Sequence, residues 1–61
     1  MARPGDSYRA SVLVVDDEAA IRDSLHMILD YEGYRVEEAA SGSQALTRVT
    51  ERPPDAILLD I

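Results

Sequence analysis

The sequence predicts an α/β unit on a short parallel sheet, ordered strand, helix, strand, helix, strand. Three observations carry this. Val12–Val15 and Ala56–Leu59 are continuous apolar runs without polar alternation, the pattern of strands covered on both faces. Between them Ile21, Leu25, Ile28 and Leu29 recur at helical spacing. The links between elements are short, so the chain reads as two βαβ units whose right-handed crossovers make the sheet parallel.

Taken in order, residues 1–10 (MARPGDSYRA) carry Pro, Gly and charge without periodicity and are expected to be a flexible leader ahead of a folded unit over residues 11–61. The first strand, Val12–Val15, runs straight into Asp16-Asp17-Glu18. A helix is expected from about Glu18 to Glu32, begun by Asp17 or its neighbours, with first-turn acids favoured by the helix dipole and Gly33 as its stop. Tyr34–Ala39 forms a second, more polar strand, and Glu37-Glu38 place it at a sheet edge with both glutamates exposed. Ser41-Gly42-Ser43 starts a short helix carrying Ala45, Leu46 and Val49, which Pro53-Pro54 ends. Ala56–Leu59 is the third strand and runs into Asp60.

The two most apolar strands belong side by side, with the glutamate-bearing strand outside, giving the order second, first, third. The path reverses between the first and third strands, and open α/β sheets bind ligands at such a reversal. Neighbouring strands lie about 4.8 Å apart, so Asp16, Asp17 and Asp60 are expected to converge at the C-terminal ends of the central pair. Carboxylates so close repel one another unless one takes up a proton or a cation settles among them. An oxygen-only cluster suits Mg²⁺ or Mn²⁺. A carboxylate beside such an ion can attack phosphorus and form an acyl phosphate, the ion lowering the charge penalty of the transition state. Asp16 and Asp17 could instead be a mere helix cap and Asp60 a turn residue, but a cap does not require a second acid at the end of the adjacent strand.

Composition narrows the classes. With 61 residues the chain forms one small unit at most, hiding only about 60% of its unfolded surface. It has no cysteine, hence no disulfide, and no run near the roughly 20 apolar residues of a membrane span. Its N-terminus lacks a signal-peptide core, so a cytoplasmic location is expected, with no membrane partner. Twelve acidic against six basic residues, a net charge of −6, disfavour nucleic-acid binding by this segment. All six basic residues are arginine, so no lysine ammonium is available to a site. No G-x-G-x-x-G follows a strand, which argues against a dinucleotide site.

VLVVDDE, the helix ending in Gly33-Tyr34, ASGSQAL and PDAILLDI together resemble the receiver domain of two-component response regulators, in that family's order and spacing over about residues 11–61. The resemblance implies a phosphoacceptor signalling module rather than a turnover enzyme. Asp60 would take a phosphoryl group from a histidine kinase or phosphotransfer protein. Asp16 and Asp17 match the acidic pair that holds Mg²⁺ together with Asp60, Asp17 being the direct ligand. A complete receiver is similar to a five-stranded flavodoxin-like fold, so the chain is expected to supply a partial one. The family's switch Ser or Thr, its lysine and the backbone carbonyl that completes its metal site would all lie past Ile61. The segment alone is therefore expected to be inactive.

Other residues carry less. His26 lies off the apolar stripe beside Asp23 and Asp30 and is read as a solvated surface residue. The stripe itself is read as mainly core, and Arg22 as the best surface contact for a kinase or phosphotransfer partner. A competing reading is a self-associating, dimeric fragment, joined through the unpaired edge of the third strand and without phosphotransfer. Dehalogenase-like phosphatases also use aspartate nucleophiles but place two acids as D-x-D, whereas Asp16 and Asp17 are adjacent.

Overall fold

The computed structural model describes residues 8–59. Five elements follow one another: β1 (Ser11–Val15), α1 (Ala19–Tyr31), β2 (Arg35–Ala39), α2 (Gly42–Glu51) and β3 (Ala56–Leu59). The sheet is three-stranded in the order β2-β1-β3, and both pairings are parallel. The apolar run lies in the centre and the glutamate-bearing strand outside it, as the polarity of the strands requires.

Val12, Leu13, Val14 and Val15 of β1 are at most 6% exposed. Each buried aliphatic side chain contributes about 1.5–3 kcal/mol of transfer free energy. Leu13 and Val15 face α2 and cluster with Ala39, against which Ala45 and Val49 pack. Val12 and Val14, one residue out of phase, point to the opposite face.

Local chemistry fixes the element ends. α1 stops in a Schellman arrangement: Gly33 N–H donates to Asp30 O at 3.0 Å and Tyr34 N–H to Leu29 O at 3.0 Å. Gly33 has φ 95°, a value that a side chain would strain. α2 begins at Ser41, whose Oγ accepts from Gln44 N–H at 3.3 Å while Gln44 Oε1 accepts from Ala40 N–H at 2.9 Å. This is a near relative of the capping box. β3 is held in register at its start by Ser11 N–H donating to Asp55 Oδ2 at 2.8 Å and Asp55 N–H donating to Ser11 O at 2.9 Å.

Several expectations need correction. No acid occupies the first turn of α1; its N-cap is Glu18, which makes no side-chain cap. The stripe on α1 is not core: no residue of that helix is buried, with Ile21 38% and Ile28 60% exposed. The cause is coverage. α1 and α2 pack on β1 and β2 from opposite faces, and among the described residues neither covers β3. All four residues of β3 are accordingly exposed despite being apolar. Arg9 and Ala10, within the expected leader, are tied down: Arg9 N–H donates to Gly33 O and Arg35 N–H to Ala10 O, each at 2.9 Å. Residues 1–7 lie outside the described residues. Among the described residues, no helix is long and apolar enough to cross a membrane.

Candidate functional site

The turn after β1 carries the acids. Asp16 is 3% exposed, and nearly every polar atom of it is engaged. Its N–H donates to Ala39 O at 3.1 Å, extending the β1–β2 ladder by one step. Its Oδ1 accepts from Glu18 N–H at 2.9 Å, so the side chain folds over its own turn. Its carbonyl oxygen accepts from Arg22 Nη1 at 2.7 Å. Only Oδ2 is left, buried and without a hydrogen-bond partner. An unpaired carboxylate oxygen in such a place is costly unless something polar or cationic reaches it.

Asp17, the next residue, is exposed. The strand ends at Val15 and the chain bends at Asp17, which carries that residue out to solvent. A groove open to solvent runs over the turn, lined by Asp16, Asp17 and Glu18, by Ser41 and Gly42 at the start of α2, and by Leu59 of β3. The N-terminal end of α2, which carries partial positive charge, thus borders the same groove as the acids.

β1 and β3 run side by side, and their last paired residues are Val15 and Leu59. In sequence, an aspartate follows each member of that pair: Asp16 and Asp60. Asp60 lies outside the described residues, so the expected convergence of three acids is seen only as far as Asp16 and Asp17. Among the described residues no group of three or more His, Cys, Asp or Glu is arranged to hold a metal ion. β2 is not wedged between the two strands.

Beside the turn lies a polar cluster that the sequence reading missed. Glu38 faces α1, where its Oε1 lies 3.4 Å from Arg22 Nε and its Oε2 meets His26 Nδ1. Glu37 faces the other way, its Oε1 lying 3.7 Å from Arg35 and 3.8 Å from Arg52. The expectation of two exposed glutamates therefore fails, although β2 is an edge strand; their side chains are 28% and 27% exposed. His26 is half-exposed but partnered by Glu38 rather than merely solvated. Arg22 is not a free surface contact, since its side chain is 18% exposed and engaged at both ends. Strand parity could have found this: Glu38 pairs with Val14, which faces α1, and Arg22 and His26 are one helical turn apart.

Comparison with known proteins agrees with this architecture. The profile of the response regulator receiver domain family matches residues 12–61. Response regulator MprA of Mycobacterium sp. (strain KMS) is 46% identical over 50 residues, covering 82% of this chain and 22% of that protein. DNA-binding response regulator MtrA of Mycobacterium tuberculosis (strain ATCC 25618 / H37Rv) is 43% identical over 56 residues, covering 92% of this chain and 25% of that protein. The crystal structure of the N-terminal domain of a response regulator receiver protein from Methanoculleus marisnigri JR1 superposes with a TM-score of 0.85 at 42% identity. It covers 87% of this chain and 43% of that one. The fold and the acidic turn thus define a receiver-type module of two-component signalling. The chain belongs to the response regulator receiver domain family, and it spans about a quarter of the length of the curated relatives it matches.

Proposed function

We propose that this chain carries the phosphoacceptor half of a receiver, in which Asp60 accepts a phosphoryl group with Mg²⁺ held by Asp16, Asp17 and Asp60. The carrying observation is Asp16 itself: an aspartate 3% exposed, at the C-terminal end of the central strand, with Oδ2 unsatisfied. An oxygen in that state fits a cation or one of its bound waters, and the donor set is entirely hard oxygen, the preference of Mg²⁺. Asp17 is exposed to the groove and suits direct ligation, while buried Asp16 suits holding a metal-bound water.

The ion, when bound, supplies charge neutralisation between attacking carboxylate and phosphoryl oxygens. The protein's own part is the nucleophile. A carboxylate oxygen of Asp60 forms the new P–O bond as the P–N bond of a donor phosphohistidine breaks, and the departing imidazole takes up a proton. The product is an acyl phosphate. The donor is a histidine kinase or a phosphotransfer protein, and the module acts as a cytoplasmic switch rather than a turnover enzyme. MtrA is described as DNA-binding; in this chain a net charge of −6 favours no such contact, so any DNA contact belongs to other parts of a protein.

The test is phosphorylation by acetyl phosphate, with and without Mg²⁺, in the full-length protein that carries the chain. Incorporation is expected to require Mg²⁺ and to disappear in Asp60→Asn. Equal labelling of Asp60→Asn and the unaltered protein would overturn the assignment.

A further inference from the structure

Arg22 makes the one side-chain hydrogen bond from another element to the acidic turn among the described residues. Its Nη1 donates to Asp16 O at 2.7 Å, and its Nε lies 3.4 Å from Glu38 Oε1. The second oxygen of Glu38 is occupied by His26 Nδ1. The series therefore runs from α1 to the edge strand and back to the turn: His26, Glu38, Arg22, Asp16.

The geometry matters because the Asp16 carbonyl and the Asp17 N–H belong to one planar peptide unit. Fixing the direction of that carbonyl fixes the plane from which the Asp17 Cα departs. Of the other two bonds of Asp16, the one to Ala39 O holds its amide, and the one from Glu18 N–H closes a ring through the Asp16–Asp17 peptide from within the turn; the Arg22 bond adds a restraint on that peptide from outside it. A guanidinium suits the task because its rigid fork serves two acceptors in different directions at once.

We propose that Arg22, aligned by Glu38, is the positioning residue of the acidic turn, holding the Asp16–Asp17 peptide so that the Asp17 carboxylate is presented to the divalent ion. This rests on the reading that Asp16 and Asp17 hold that ion. Arg22 touches neither the ion nor the phosphoryl group; it acts through the peptide plane. His26 acts one step further back, by fixing the rotamer of Glu38.

Two readouts separate this role from general stabilisation. The first needs no metal: amide order at Asp17, from backbone NMR relaxation of the full-length protein that carries the chain. The second is the Mg²⁺ dissociation constant from amide shifts on titration with MgCl₂. Arg22→Ala is expected to loosen the Asp17 amide and to weaken Mg²⁺ by roughly 10-fold or more, the usual effect of losing a group that orients a ligand. Arg22→Lys, which can reach the carbonyl but not span to Glu38 as well, is expected to fall between. Glu38→Gln keeps Arg22 yet removes its charged partner, and serves if Arg22→Ala fails to fold; it is expected to shift both readouts in the same direction. Unchanged Asp17 order and unchanged Mg²⁺ affinity in these variants would overturn the proposal. If the unaltered protein binds no Mg²⁺, the metal reading falls, and so does the role of Arg22 in presenting a ligand. Loosening of Asp17 in the metal-free variants would then show only that Arg22 shapes the turn.

Discussion

Asp16 and Asp17 are neighbours in sequence, yet the structure gives them opposite work. Asp16 is buried and hydrogen-bonded into the turn through Oδ1, while Asp17 is exposed to the groove. Their substitutions should therefore separate. Asp17→Ala is expected to abolish Mg²⁺ binding in a titration while changing unfolding free energy by less than about 0.5 kcal/mol, as exposed substitutions do. Asp16→Ala removes the acceptor for Glu18 N–H and is expected to cost about 1–3 kcal/mol in urea unfolding. Asp16→Asn keeps that acceptor and should restore most of the stability but not the cation affinity. Equal stability losses in Asp16→Ala and Asp17→Ala would contradict the division. At this scale the sequence placed both acids in the turn after β1 but could not show that one is buried and the other exposed, because burial depends on which way the chain turns as it leaves β1.

The elements owe their limits to a few residues whose removal has predictable cost. Gly33→Ala places a side chain at φ 95° and is expected to destabilise the domain by about 1 kcal/mol or more, read as a lower urea midpoint. Ser41→Ala removes the cap on Gln44 N–H, with an expected loss of about 1 kcal/mol. The end of α1 and the start of α2 were both legible in the sequence, since a glycine after a periodic run and a serine before one are local signals. The strands were legible for the same reason: unbroken apolar runs need cover on both sides, and β1 has it. The polar cluster of Arg22, His26 and Glu38 was not legible by local reasoning. It joins α1 to β2 across the sheet face, so it emerges only when helix phase and strand register are combined. The exposure of α1 was missed for a related reason. A helical stripe shows which face is apolar, not whether a neighbour covers it.

At the scale of the whole molecule, the dominant feature is an apolar surface at the β3 edge of the sheet, exposed on both faces. Ile57, Leu58 and Leu59 of β3 are 50%, 41% and 63% exposed, and they share an open groove with Ile21 and Leu25 of α1. Among the described residues the outer edge of β3 has no partner strand, and such an edge beside an apolar groove is a template for pairing. The 61-residue chain by itself is expected to sediment as a dimer or larger assembly at micromolar concentration, and Leu58→Lys to shift it toward monomer. A compact monomer that unfolds cooperatively at that concentration would contradict this. The core is small enough that Leu13→Ala, at about 2–5 kcal/mol, should leave little native signal by circular dichroism.

If Asp16, Asp17 and Asp60 hold one divalent cation at the ends of β1 and β3, the ion itself should be visible there. Anomalous scattering from Mn²⁺, exchanged for Mg²⁺ in crystals of the full-length protein that carries the chain, tests it most directly. One peak is expected in the groove beside Asp16, with carboxylate oxygens of both Asp17 and Asp60 in its coordination sphere. A metal bound elsewhere, or Asp17 and Asp60 directed apart with no peak between them, would contradict it.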